Sequence, residues 1–350
     1  ITAIFGSNSI EYGLSEWWGP NTTPGTTDMA TNINKAITAC PEVRLLGDIY
    51  GLGSFLSLKS NFTLYGSGMN STTLKELNDF TADTTGGKMI YGDTVSFATV
   101  RDLYVKGQMT SFVTADRDRY GIFLHTCANV SVLRCKVSNI ERGIFFYHAC
   151  TDGRIEGCFA EDCYYAAYGS FGKTEVIDPP SDKIPVLRTT MINNQAINCV
   201  DTSSDKSYPP GCRFEETYNS IISNNTISGC GQGIRVENSN ENVISNNTCF
   251  ENQRTGIQIY KHSKRNTIIG NVVRDNNTNL LTDLASIETF SISAAGTGYA
   301  VGNILTLELP GVTGEVAAML KVTSVGGSGE ITGIGFDAKE GEYPKNNRVN

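Results

Sequence analysis

The 350-residue chain has no apolar run of membrane-spanning length and no visible signal peptide, so no segment reads as membrane-inserted. Positive charge is scarce. Lys and Arg number 28 against 36 Asp and Glu, for a net charge of −8, and no basic stripe gathers them, which argues against nucleic acid as a partner. The same deficit works against unspecific attraction to acidic polymers, so any anionic ligand needs local arginines to receive it. Neither a CxxC motif nor metal-ligand spacing occurs among the ten cysteines. Cys127 and Cys150 stand 23 apart, as do Cys135 and Cys158. These pairs read as free thiols stacked in adjacent turns, which suits assembly in a reducing cytoplasm. No metal and no cofactor is expected. The first residue is Ile1 rather than Met, so the missing leader does not exclude a secreted protein.

What is present in quantity is glycine and asparagine, which suits turn-rich β structure. One short phrase recurs at Gly121–His125, Gly143–Tyr147, Gly211–Glu215, Gly233–Glu237 and Gly256–Tyr260. Its glycines fall 22 residues apart twice and 23 once, with one longer gap. A fixed period near 22 marks a solenoid, whose turns bury their apolar side against their neighbours. The phrase alternates apolar and variable residues, so each copy is a strand with one face inward. Such strands stacked one per turn make a parallel β-helix. A second strand repeats at Val132, Ile155, Met191, Ile222, Ile244 and Ile268. Three residues after each come Cys135, Cys158, Asn194, Asn225, Asn247 and Asn271, a column in which asparagine amides bond along the axis.

In the third turn Tyr165 takes the glycine place, 22 after Gly143. Excursions near 172–185 and 200–210, and an earlier one at Gln108–Tyr120, form loops beside the repeat. They carry Asp116, Asp118, Asp178, Asp182, Asp201 and Asp205, which read mostly as loop residues. Residues 28–40 read as an amphipathic helix with Asp28 as N-cap and Ile33, Ala36, Ile37 and Cys40 on one stripe, closing the solenoid's open end. The expected domains are 1–50 as lead-in and capping helix, 51–282 as β-helix, and 286–344 as a small β-rich module.

The order Asp28, Ala36–Ile37, Val43–Tyr50, Leu56 and Phe62–Gly68 resembles the N-terminal segment of pectate-lyase-like right-handed β-helix proteins. Bacteriophage tailspike depolymerases and some alginate epimerases share that segment. The resemblance covers about residues 25–280, and Ala295–Gly302 is similar to Gly-Tyr-Xaa-Xaa-Gly modules of phage virion proteins. It implies an all-β, right-handed parallel β-helix with an N-terminal capping helix and a small C-terminal β-domain. It further implies a homotrimer in a phage tail, assembled in the host cytoplasm beside other tail proteins, or else a secreted bacterial protein. The partner it implies is a bacterial surface polysaccharide, with no nucleic acid and no membrane insertion.

In each phrase the third and fifth residues point outward. The third-position column reads Phe123, Phe145, Ala167, Arg213, Arg235, Gln258, and the fifth reads His125, Tyr147, Gly169, Glu215, Glu237, Tyr260. Aromatic faces stack on pyranose C–H surfaces, while Arg, Glu and His serve hydroxyls and carboxylates. Glu215 and Glu237 occupy one site on adjacent turns, the arrangement a glycosidase needs. Like charge at that range is expected to raise one pKa and supply an acid. They are the candidate catalytic pair of an endoglycosidase. Arg213, Arg235, Phe123, Phe145, His125, Tyr147, His148 and Tyr260 are the candidate substrate-binding residues. The alternatives are a uronate-directed polysaccharide lyase, with Arg213, Arg235, His125, His148 or Lys261 as base, and a non-catalytic carbohydrate-binding spike. His148 falls near the Asp-Pro-His element of alginate epimerases but follows Phe146 and Tyr147, which departs from that pattern.

Overall fold

Alternation of buried and less buried residues gives each turn short strands, and the turns stack because every strand finds its parallel neighbour one repeat away. The computed structural model describes residues 10–77, 87–110, 119–174, 183–200, 208–277, 297–308 and 316–336. The chain divides into two compact units, one reaching to Leu280 and the other within Leu281–Asn347. In the first unit, ten strands running from Gly13–Leu14 to Thr267–Ile269 form one parallel sheet. A fifteen-stranded sheet supplies two further faces. They are joined because Lys136–Tyr147 and Phe159–Phe171 each pair with strands of both faces.

Val132, Ile155, Met191, Ile222, Ile244 and Ile268 pair rung to rung on the first face. Beside them the asparagine column forms as expected. Each side-chain amide donates to the next carbonyl from Asn194 through Asn225 and Asn247 to Asn271, at 2.9–3.0 Å. Each carbonyl also accepts the backbone N–H of the preceding rung. Cysteine serves the same corner in earlier turns: the Cys135 N–H donates to Cys158 Sγ, and the Cys158 N–H to Asn194 Oδ1. All ten cysteines are buried free thiols. Further steps of the same kind join Asn242 to Asn266 and Asn252 to Asn276, and these the repeat phrase did not reveal.

The helix α1 (Ala30–Ala39) buries Ala30, Ile33, Ala36 and Ile37. Asp28 Oδ1 accepts the N–H groups of Ala30 and Gly53, so it caps from just outside the helix. The expected strand Thr99–Val105 is instead two, Ala98–Arg101 and Tyr104–Lys106, because Asp102 turns a corner at φ 57°. The second unit carries an antiparallel three-stranded sheet of Ile304–Glu308, Val316–Val325 and Ile331–Phe336. Among the described residues, no helix is long and apolar enough to cross a membrane.

Candidate functional site

Seven strands on one face carry the outward columns: β1 (Lys88–Asp93), β2 (Tyr120–His125), β3 (Lys136–Tyr147), β4 (Phe159–Phe171), β5 (Pro210–Glu215), β6 (Gln232–Glu237) and β7 (Ile257–Tyr260). Their register sets Tyr91, Phe123, Phe145, Gly169, Arg213, Arg235 and Gln258 in one column. The neighbouring column is Asp93, His125, Tyr147, Phe171, Glu215, Glu237 and Tyr260. At about 4.8 Å per rung the strip is roughly 29 Å long.

The third turn departs from the expected register. Phe145 faces Gly169 and Tyr147 faces Phe171, after a bulge between Ile140 and Arg142. Ala167 and Gly169 therefore leave the places expected for them, and Phe171 enters the strip. Tyr168 points inward and is fully buried, as the alternation requires.

The first half of the strip is aromatic. Tyr120, Phe123, Phe145, Ala166 and Phe171 form an apolar cluster outside the solenoid core, with Tyr91, Tyr147 and Tyr165 packed against it. Phe145 is fully buried and Phe123 nearly so, because neighbouring rings pack edge-on and tilted against them. Their expected role as sugar platforms is corrected: they are the floor beneath Tyr147 and His125.

Asp93, absent from the sequence-based candidates, lies 2.8 Å from His125 Nδ1. That hydrogen bond holds the Asp93 carboxyl below the usual carboxylate range. His148 stacks on His125 with ring centroids 5.2 Å apart, and Thr126 Oγ1 lies within 3.3 Å of Nδ1 of both. Asp93 was hidden because 32 residues separate β1 from β2 at this level and glycine sits in its fourth place.

The second half is charged. Glu215 and Glu237 are direct rung neighbours. Arg213 Nη2 donates to Glu215 Oε2 at 2.6 Å and to Glu237 Oε2 at 3.2 Å. Those two oxygens therefore lie within about 6 Å of each other, each one hydrogen bond from a shared nitrogen. Arg235 Nη2 reaches Glu237 Oε2 at 2.7 Å, and Lys261 pairs with Glu237 Oε1. The Glu237 side chain is 2% exposed and that of Glu215 27%. Burial pushes the Glu237 carboxyl up, but Lys261, Arg235 and Arg213 together outweigh burial and hold it below the usual value. The expectation of a raised pKa is thus corrected for Glu237, since the cations between and beside the carboxylates outweigh their mutual repulsion.

Tyr165 joins the two halves. Its hydroxyl accepts from Arg213 Nη1 at 2.8 Å, and the Arg213 guanidinium lies 4.8 Å from the Phe171 ring centroid. Tyr260, 42% exposed, ends the strip beside Arg235 and Lys261. Asp116, Asp118, Asp178, Asp182, Asp201 and Asp205 lie outside the described residues.

Comparison with solved structures finds the catalytic domain of a GH87 alpha-1,3-glucanase in complex with nigerose at TM-score 0.55 and 12% identity. That likeness covers 77% of this chain and 46% of the other. The fold is a right-handed parallel β-helix. The mannuronan C-5 epimerase AlgE6 A-module of Azotobacter vinelandii is also similar, at TM-score 0.47 and 17% identity over 76% of this chain and 77% of that one. So is ORF18 of Geobacillus virus E2, at TM-score 0.43 and 13% identity over 74% and 59%. At such identities the likeness fixes the path of the chain and leaves chemistry to the side chains. A family model described as periplasmic copper-binding protein (NosD) matches residues 186–304, less than half of the chain and mostly the asparagine-laddered turns. Among the described residues, no three His, Cys, Asp or Glu side chains converge as metal ligands. Comparison with curated proteins gives no match.

Proposed function

We propose that this protein binds a bacterial surface polysaccharide along the outer strip and hydrolyses it within the chain at Glu215 and Glu237. The observation that carries the reading is the rung-to-rung pairing of the two carboxylates on a shared arginine. Their oxygen separation, within about 6 Å, fits the spacing of retaining glycosidases and falls short of the 6.5–9.5 Å range of inverting ones. Glu237, held ionised, is the nucleophile. Glu215, the more exposed, donates a proton to the leaving oxygen and then takes one from water. Attack by Glu237 requires the half-exposed Lys261 to leave its carboxylate. Tyr147, His125, His148 and Tyr260 bind sugars, and Arg213 and Arg235 fix the carboxylates.

The GH87 glucanase, bound to a sugar on the same fold, lends the reading support by analogy. By resemblance of residues 25–280 to tailspike proteins, the protein is a homotrimer of a phage tail. Light scattering of the purified chain tests the trimer. The catalytic test is Glu215→Gln, which removes one carboxylate where burial is modest. Polymer viscosity loss should slow at least 100-fold, and a change of only a few-fold overturns the assignment.

A second reading, a polysaccharide lyase, is favoured by one observation. The Asp93–His125 hydrogen bond leaves a histidine oriented on the strip, whereas hydrogen bonding to Glu237 raises the Lys261 pKa and removes it as a base. A lyase leaves an ultraviolet-absorbing unsaturated end on its product, and a hydrolase leaves none.

A further inference from the structure

We infer that the sugar chain received on this strip is anionic, and that its acidic groups are held at the edge formed by Arg235, Lys261 and Tyr260. The inference rests on the polysaccharide reading above and adds the chemical class. Three cations, Arg213, Arg235 and Lys261, meet two carboxylates, Glu215 and Glu237. The strip therefore concentrates positive charge at one spot of a chain whose net charge is −8.

Neutralisation is incomplete at the level of atoms. The Nε groups of both Arg213 and Arg235 are buried without an acceptor. The Lys261 ammonium carries three donors and has one carboxylate partner, Glu237, with its side chain 47% exposed. Its hydrogen bond to Glu237 raises its pKa, so it stays charged through the neutral range.

The geometry around these cations suits a sugar. The Tyr260 ring is exposed, with the Arg235 guanidinium 5.1 Å and the Lys261 ammonium 5.4 Å from its centroid. A pyranose stacked on the ring sets a carboxylate, sulfate or phosphate substituent within reach of both cations, and charge-assisted hydrogen bonds are the strong ones. A neutral sugar leaves the surplus charge unanswered. An anion that draws Lys261 toward itself also uncovers Glu237, the carboxylate this lysine covers, so recognition and exposure of the reacting group are coupled.

The test is calorimetric titration of the full wild-type chain with uronate, sulfated and phosphorylated hexasaccharides, each beside its neutral counterpart. At least one acidic probe should bind tenfold or more tighter than its neutral form, and the type that does so names the substituent. That gap should shrink as salt is raised, vanish in Lys261→Gln and persist in Lys261→Arg. Equal affinity within every pair overturns the inference, as does absence of binding by all acidic probes. So does a Lys261→Gln effect that weakens acidic and neutral forms alike. Cleavage is followed in the same samples. An acidic chain bound but never cut removes the hydrolysis reading and leaves this one, whereas a neutral chain cut without preference does the reverse.

Discussion

Glu237→Gln probes the charged half of the strip most directly, because it removes one negative charge and almost no volume. The side chain is 2% exposed and contacts Arg213, Arg235 and Lys261. Arg235 and Lys261 have no other carboxylate partner among the described residues, so the substitution strands charge in a poorly solvated place. Removing one partner of a buried ion pair costs about 3–5 kcal/mol, and that is the expected loss of unfolding free energy near pH 7. Glu215→Gln is the control. Glu215 is 27% exposed and bonds to Arg213 alone, so it belongs with pairs worth about 0–1 kcal/mol.

The pH dependence follows from the direction of the shift. The folded-state pKa of Glu237 lies below its ordinary 4.5, so its contribution is full above that value and is lost as pH falls through the folded pKa. The wild-type and Glu237→Gln stabilities should therefore converge on acidification below about pH 4.5. Urea unfolding followed by far-ultraviolet circular dichroism between pH 3 and 8 reads both effects. A Glu237→Gln protein within about 1 kcal/mol of wild type at pH 7, or a gap that widens toward acid, refutes the picture of a buried, cation-locked carboxylate.

Two further outcomes are expected. Asn225→Ala removes two accepted and two donated hydrogen bonds inside the ladder. It should cost about 3–5 kcal/mol, since each buried group left unpaired costs about 1–3 kcal/mol before partial relaxation. Asn271→Ala, at the last rung, should cost visibly less because water reaches its partners, and equal losses in urea midpoints would contradict the ladder argument. The native protein should react slowly or not at all with a thiol reagent, and all ten cysteines should titrate after denaturation. Fewer thiols in the denatured, unreduced chain would mean disulfides that the structure does not contain.

The solenoid was legible because its signal is periodic: a glycine phrase every 22 or 23 residues and asparagines three residues after an apolar position. Stacking at the strand spacing turns such intervals into spatial neighbours, and Glu215 and Glu237 came out adjacent for that reason. The third turn was illegible in detail. A bulge between Ile140 and Arg142 shifts the pairing, and no residue type announces a bulge, so Ala167 and Gly169 were placed two residues off and Phe171 went unseen. Asp93 was missed because an interrupted repeat hides a rung. The burial of Phe145 and Phe123 was missed because alternation tells which side of a sheet a residue faces and says nothing of what lies on top of it.

The amino-acid order alone therefore determined the architecture, the stacked thiols and asparagines, and which side chains share the outer face, since each depends only on intervals along the chain. Tertiary structure alone decided which outward residues remain accessible, that Asp93 meets His125, and that Arg213 bridges two carboxylates while Arg235 and Lys261 hold Glu237 ionised. Burial and charge at a site are sums over neighbours from several turns, and such sums exist only once the rungs are stacked in their actual register.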